Sequence, residues 1–348
     1  LLFCTAYTKV DGKVSKFVLV ARLLNLLRKH NMRPIIILFL AIFSCISCSD
    51  KITDVDFSDS ILLEIKTERS YQDLKLQMPG FYGVISINDE REIRIDEPTK
   101  EIIIESVDNE EQHIVFKGKY DSEQTKLLAL ESKQLKELIV VSDIENLIVN
   151  NTNIQSVSDE CLKNSPQLNS IAFKNNTKIS SLPNDFLSYT SNINAFRKTF
   201  WGCTMLSDIP GDLFKTNVNA TDFSNVFYAC NIHTIPEELF THNISAENFE
   251  GAFSQNHNLH VIPEKLFLNN INAKRFYSSF SYCDKLQSIP NQLFDNIEQG
   301  VYNLAFSDCT NLQGNAPTLW DDTNASGTFC FRGCTKLENF NDIPDSWK

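Results

Sequence analysis

Methionine and tryptophan are scarce in this chain of 348 residues, three of each, and glycine and proline number only eleven apiece. So little Gly and Pro excludes a collagen-like triple helix and a low-complexity Pro/Gly chain. A hydrophobic share of 42% excludes a chain that stays disordered throughout. Basic residues are outnumbered, 32 Lys and Arg against 44 Asp and Glu, for a formal charge of −12. The first 48 residues carry Lys9, Lys13, Lys16, Arg22, Arg28, Lys29 and Arg33 against Asp11 alone, so the remainder is more acidic still. Such a body repels phosphate backbones and anionic membrane surfaces, which argues against a nucleic-acid partner. No apolar run reaches the roughly 20 residues that a helix needs to cross a bilayer. Phenylalanine, by contrast, is abundant at 25.

The first methionine is Met32, and from there the chain reads MRPIIILFLAIFSCISCSD. Arg33 supplies a positive start, and Ile35 to Ile46 is an almost unbroken apolar run without amphipathic pattern. Its length suits the apolar region of a secretory leader. Residues 32–47 are therefore expected to be a signal peptide, and 1–31 an upstream extension outside the fold. A leader that ends at Cys resembles a bacterial lipoprotein signal, with Cys45-Ile46-Ser47 before Cys48 as the lipobox. That resemblance implies lipid on the Cys48 thiol, and several acyl chains suffice for stable anchoring. The lipid anchor would be the only membrane attachment.

The second half repeats. Pro183, Pro210, Pro236, Pro263, Pro290, Pro317 and Pro344 follow one another at intervals of 27, 26, 27, 27, 27 and 27. An apolar pair recurs three and four residues later, as in Leu213-Phe214, Leu239-Phe240 and Leu266-Phe267. Before each Pro runs F-x-x-x-F-x-x-C-x-x-L-x-x-I, as in Phe196, Phe200, Cys203, Leu206 and Ile209. Phe, Phe and Cys at 0, +4 and +7 fit one face of a helix. Leu-x-x-Ile-Pro reads as a short extended piece, since the residue before Pro is pushed out of the α region. Asn217, Asn243 and Asn270 recur as turn residues able to satisfy backbone groups. One unit buries roughly six large side chains at ~2 kcal/mol each. Ordering its backbone costs on the order of 1–2 kcal/mol per residue. No unit folds alone, so the units must stack.

Upstream, Leu147-Ile148-Val149 and Ile171-Ala172-Phe173 lead into Asn and an apolar ladder, a pattern close to a leucine-rich repeat. The fold expected over 126–348 is a leucine-rich-repeat-like solenoid of period about 27, with short parallel strands and short helices, and Trp347 closing the last coil. The F-x-x-C-x-x-L-x-x-I core with I-P-x-x-L-F resembles the cysteine-bearing leucine-rich repeats of BspA-like surface proteins of Bacteroidetes. The resemblance covers roughly 220 residues. It implies a surface lipoprotein that binds other proteins, host matrix proteins among them. Its 27-residue spacing exceeds the commoner form of the family, and Asn256 interrupts the Cys column.

Residues 48–125 differ. Ile61–Ile65, Gly83–Ile87, Glu92–Ile95, Glu101–Ile104 and His113–Phe116 are short β-branched runs between polar turns, the pattern of a small all-β, sandwich-like domain. It is expected to act as a spacer.

Ten cysteines in an exported chain invite a disulfide framework. Cys203, Cys230, Cys283 and Cys309 instead share one column, one per coil, and read as buried thiols. Cys330 and Cys334 are the one local pair worth testing for a bridge. No clustered Cys and His suggests zinc, and no metal or cofactor is expected. Nucleophile elbows, P-loops and dinucleotide fingerprints are absent, so no catalytic residue is expected. His233 and His260 both lie three before a Pro and should stack, with Ser207 and Gln287 extending the row. Asp208, Thr234, Val261 and Ser288 sit beside it. Together these eight are the expected ligand surface if the row is functional, while a plain solvated face is the favoured reading of it. The function expected is a lipid-anchored outer-membrane protein at the cell surface, an adhesin or receptor for a protein ligand. The alternatives are a periplasm-facing scaffold and an accessory glycan-binding lipoprotein.

Overall fold

The computed structural model describes residues 9–10, 13–14, 61–68, 74–104, 111–121, 126–133 and 135–348. The leader 32–47 and Cys48 lie outside the described residues. The chain divides into two units, 1–37 and 38–348. In the first, β1 (Lys9–Val10) and β2 (Lys13–Val14) pair antiparallel. No helix among the described residues is long and apolar enough to cross a membrane.

The larger unit begins with nine strands in one sheet: β3 (Ile61–Thr67), β4 (Leu74–Ile87), β5 (Arg91–Ile104), β6 (His113–Tyr120), β7 (Leu127–Leu130), β8 (Leu135–Val141), β9 (Asn146–Val149), β10 (Ser156–Val157) and β11 (Ser170–Ala172). Their order is β10-β8-β3-β6-β4-β7-β9-β11, with β5 against β4. Alternation drives the pairing. β3, β4 and β6 turn Leu63, Ile65, Phe81, Ile85 and Phe116 into a fully buried face. β4 holds β5 on one edge, then β6 along Phe81–Ile87 and β7 at Leu76–Gln77 on the other. Where β4 crosses β6, Gly83 faces Gly118. A Cβ on Gly83 would lie 2.1 Å from the Lys117 carbonyl oxygen, so only glycine permits the approach. The strands expected as a sandwich thus lie in one sheet, and that sheet runs past 125, since β7 and β8 pair with β4 and β3.

From β7 the pairing becomes parallel: β7 to β9, then β9 to β11. Beyond β11 the parallel contacts shrink to single bridges. One row runs from Ala195 through Asp222, Asn248, Arg275 and Val301 to Ser326.

The expected solenoid of short strands and short helices is corrected here. Regular structure is almost all β, 27% strand against 2% helix, built as a curled mixed half-barrel sheet. The only helical pieces among the described residues are the 3₁₀ turns Leu319–Asp321 and Phe340–Asp342. The reason lies in the backbone. Two positions per turn adopt positive φ: Lys198, Asn225, Gly251, Ser278, Leu304 and Phe329 in one row, and Gly202, Ala229, Gln255, Tyr282, Asp308 and Gly333 in another. A left-handed residue every fourth position forbids an α-helix. The amides divide their bonds accordingly. Phe223, Asn225, Phe227 and Ala229 donate to Asn248, Glu250, Ala252 and Ser254 of the next turn, at 2.7–2.9 Å. Val226, Tyr228 and Cys230 donate back to Phe223, Asn225 and Phe227.

This spacing brings equivalent side chains into register. Phe200, Phe227, Phe253, Phe280, Phe306 and Phe331 stack with centroids 5.4–5.8 Å apart and planes within 20°. A second column runs Phe196, Phe223, Phe249, Phe276, Tyr302, and a third runs Phe214, Phe240, Phe267, Phe294. The columns meet edge-to-face, as at Phe240 and Phe249 (4.8 Å, 60°), a favoured aromatic geometry. Trp347 lies against Gly327, where a Cβ would come within 1.9 Å of the indole.

The cysteine column does more than fill space. Cys203, Cys230, Cys283, Cys309 and Cys334 each direct Sγ to the carbonyl of a core Phe one turn back, at 2.9–3.3 Å. Asn256 takes the same place: its Nδ2 donates to the Phe227 carbonyl (2.8 Å) while its Oδ1 accepts from the Ile232 amide (2.9 Å). Cysteine and asparagine are interchangeable there because each brings a second donor to a buried carbonyl that otherwise accepts only a long bond from the amide three residues on, as Phe227 O does from Cys230 N at 3.4 Å. All seven described cysteines are free thiols, Cys330 and Cys334 included. Asn217, Asn243 and Asn270 form a parallel buried column. Asn243 Nδ2 donates to Phe214 (3.0 Å) and Asn217 (2.8 Å), and Asn270 donates to Phe240 (3.1 Å) and Asn243 (2.9 Å).

Candidate binding face

The extended piece before each Pro positions the expected ligand row. Its Leu and Ile point inward, so Leu259 and Ile262 are buried. The two residues between them face outward. Backbone bonds then tie one turn to the next: His260 N donates to His233 O (3.2 Å), Gln287 N to His260 O (3.2 Å) and Gln313 N to Gln287 O (2.8 Å). Thr234 and Val261 form a parallel bridge beside them. His233, Thr234, Gln287 and Ser288 are exposed, His260 is half-buried, and Val261 keeps 51% of its surface in water.

Ser207 and Asp208 stand apart from that chain of bonds. Their amides donate to Ser180 O (3.0 and 3.3 Å), and Asp208 bridges to Ser181. The turn holding Cys230 is one residue short before its Pro, and there Asn231 N bonds Leu206 O instead. The eight expected residues therefore fall into two groups, Ser207–Asp208 and the His233–Ser288 set, with Gln313 an extension of the second.

A second, partly exposed aromatic arrangement lies outside the residues expected from the sequence. Trp201 and Tyr228, each directly after a core Phe, stack at 5.9 Å with planes 17° apart. Tyr277 and Tyr282 expose 40% and 42% of their surfaces nearby. Tyr228, Tyr277 and Tyr282 line a hollow of ≈ 200 Å³ with Asn225, Glu250 and Gln255. The sequence signal was the 27-residue interval from Trp201 to Tyr228, in a row otherwise continued by serines at 254, 281 and 307.

A larger cleft of ≈ 550 Å³ opens between Asn291–Asp295 and the irregular stretch Asn315–Leu319, with Asn339 and Asp342 completing its wall. Asn339 is already committed there, bonding both the amide and the carbonyl of Ala316. Among the described residues, no three His, Cys, Asp or Glu side chains gather as a metal site would require. His257 pairs with Asp284 at 2.7 Å on the exposed surface.

Burial governs the thiols. It pushes Cys161 and Cys203 up to about 12, and raises Cys230, Cys309, Cys330 and Cys334 well above the usual thiol range. These thiols stay protonated at neutral pH and lack nucleophilic character.

No family model matches this chain, and a search of curated proteins finds no match either. The resemblance to BspA-like proteins rests on the motifs themselves.

Proposed function

We propose that this chain is a lipid-anchored outer-membrane protein displayed at the cell surface, an adhesin or receptor for a protein ligand. The observation that carries the reading is the backbone-bonded row from His233 through His260 and Gln287 to Gln313, which holds exposed polar side chains in fixed register. A backbone whose spacing is fixed before binding reduces the entropy lost on association. The lipobox ending at Cys48 supports the anchor, and the acidic body favours a protein ligand over nucleic acid.

The test is capture of the purified chain on immobilised collagen, fibronectin and laminin. The His233→Ala/His260→Ala double variant is expected to bind at least about tenfold more weakly, the loss typical of one or two interface anchors. Its melting temperature should change little, because the bonds that link the row are backbone bonds that alanine keeps. Undiminished capture removes the row from the binding face. Protease treatment of intact cells should digest the chain; protection would instead indicate a periplasm-facing scaffold.

A further inference from the structure

The hollow bounded by Tyr228, Tyr277 and Tyr282 has a lining that specifies its occupant. We infer that it binds a neutral carbohydrate, one sugar ring of a larger glycan lying against the exposed tyrosine faces.

Size is the first argument. A volume of ≈ 200 Å³ holds about seven waters at roughly 30 Å³ each, enough for a single sugar ring. Chemistry is the second. A sugar ring presents an apolar C–H face and a rim of hydroxyls. Aromatic faces attract the positively polarised C–H groups. The hydroxyls require both donors and acceptors, and Asn225, Gln255 and Ser278 supply both while Glu250 accepts.

Charge is the third argument. The lining holds one carboxylate and no cation, so phosphates, sialic acids and uronic acids are disfavoured. Backbone saturation is the fourth. Asn225, Gly251 and Gln255 already donate their amides to Glu250, Tyr277 and Ser281 of the neighbouring turn. An extended peptide adding to a strand edge would find those donors spent.

The site is also built in advance. Tyr282 lies beside the Asp308–Arg332 ion pair, which is closed at 2.5 Å. Ser254 and Ser281 bond each other at 2.8 Å, fixing the turns beneath. Gly251, at φ 61°, accommodates the Asn225 side chain, whose Oδ1 would lie 2.5 Å from any added Cβ. Trp201, stacked on Tyr228, extends the aromatic surface one turn toward the sheet.

Saturation-transfer NMR on the full chain tests this, with neutral gluco-, manno-, galacto- and xylo-hexasaccharides as probes at roughly 1 mM and sialyllactose as the anionic comparison. At least one neutral probe is expected to bind. Tyr277→Ala and Tyr282→Ala should each weaken that binding about tenfold, the value of one aromatic stacking contact. Tyr277→Phe, which keeps the ring, should retain it. The His233→Ala/His260→Ala variant should bind saccharide normally, which separates this site from the proposed protein-binding row. Failure of every neutral probe, preference for sialyllactose, or binding indifferent to the loss of both tyrosines would overturn the assignment.

Discussion

Phe227→Ala should destabilise the chain by roughly 3–5 kcal/mol, the range found when a fully buried aromatic side chain is deleted from a packed core. Phe227 is completely buried and touches rings on three sides. Phe200 and Phe253 stack above and below it at 5.5 and 5.7 Å, and Phe214 packs across at 6.1 Å. Removing one ring from the middle of a column leaves a void that its neighbours cannot fill, since backbone bonds to the turns on either side fix their separation. Phe227→Leu should cost less, because it restores part of the volume. Urea unfolding of the two variants against the parent measures both. A loss below about 1 kcal/mol for alanine would mean that the column is not a packed interior.

Raising the pH should unfold the chain well before ordinary alkaline denaturation. Six thiols, Cys161, Cys203, Cys230, Cys309, Cys330 and Cys334, have pKa values raised chiefly by burial. In the unfolded chain a thiol ionises near pH ~8.5. Between that pH and the folded-state pKa, near 12 for Cys161 and Cys203, the folded chain holds the extra protons. Stability is therefore independent of these groups below pH ~8.5 and falls above it, by up to about 1.4 kcal/mol per pH unit for each thiol. Several thiols acting together would exhaust a typical stability of about 5–15 kcal/mol within a few pH units. Buried Tyr120 and Tyr302, also shifted upward, steepen the fall at the top of the range. Denaturation midpoints measured from pH 7 to 11 should drop steadily above pH 9. A flat profile would place the thiols in contact with water.

Register was readable in the sequence and local conformation was not. Seven prolines and the Phe-Phe-Cys series marked which residues would stack, and Phe200, Phe227, Phe253 and Phe280 do stand one above another. The same spacing suggested helices because 0, +4 and +7 share a helical face. They also share a face when a left-handed residue interrupts every fourth position. The local hints were partial: Gly202, Asn225, Gly251, Asp308 and Gly333 suit the left-handed region, but the other positions of the two rows do not repeat them. Leu304 and Phe329 occupy positive φ although neither residue type favours it, and the bonds to the next turn hold them there.

The sheet shows the complementary limit. β-branched runs fall within strands β3 to β6, yet the first part of β4, from Leu74 to Tyr82, was not marked, and Glu92–Ile95 and Glu101–Ile104 join into one strand across Pro98, which an edge strand tolerates. Where β7 and β8 would pair depended on partners more than 50 residues away, such as Leu130 with Leu76 and Val141 with Leu63. Such long-range pairing leaves no local trace. Of the candidate faces, the His233–His260–Gln287 row followed from proline spacing alone. The tyrosine hollow did not, because Tyr228 and the Tyr277–Tyr282 pair come from different positions of two turns with a third between them.

Through-hydrogen-bond NMR couplings offer the most direct test, because they report which carbonyl each core amide reaches. The stacked-turn account requires coupling from the Phe200 amide nitrogen to the Val226 carbonyl carbon, and from Phe227 to Ala252. Coupling of Phe200 to Phe196 and of Phe227 to Phe223 instead, the pattern of an α-helix, would contradict it.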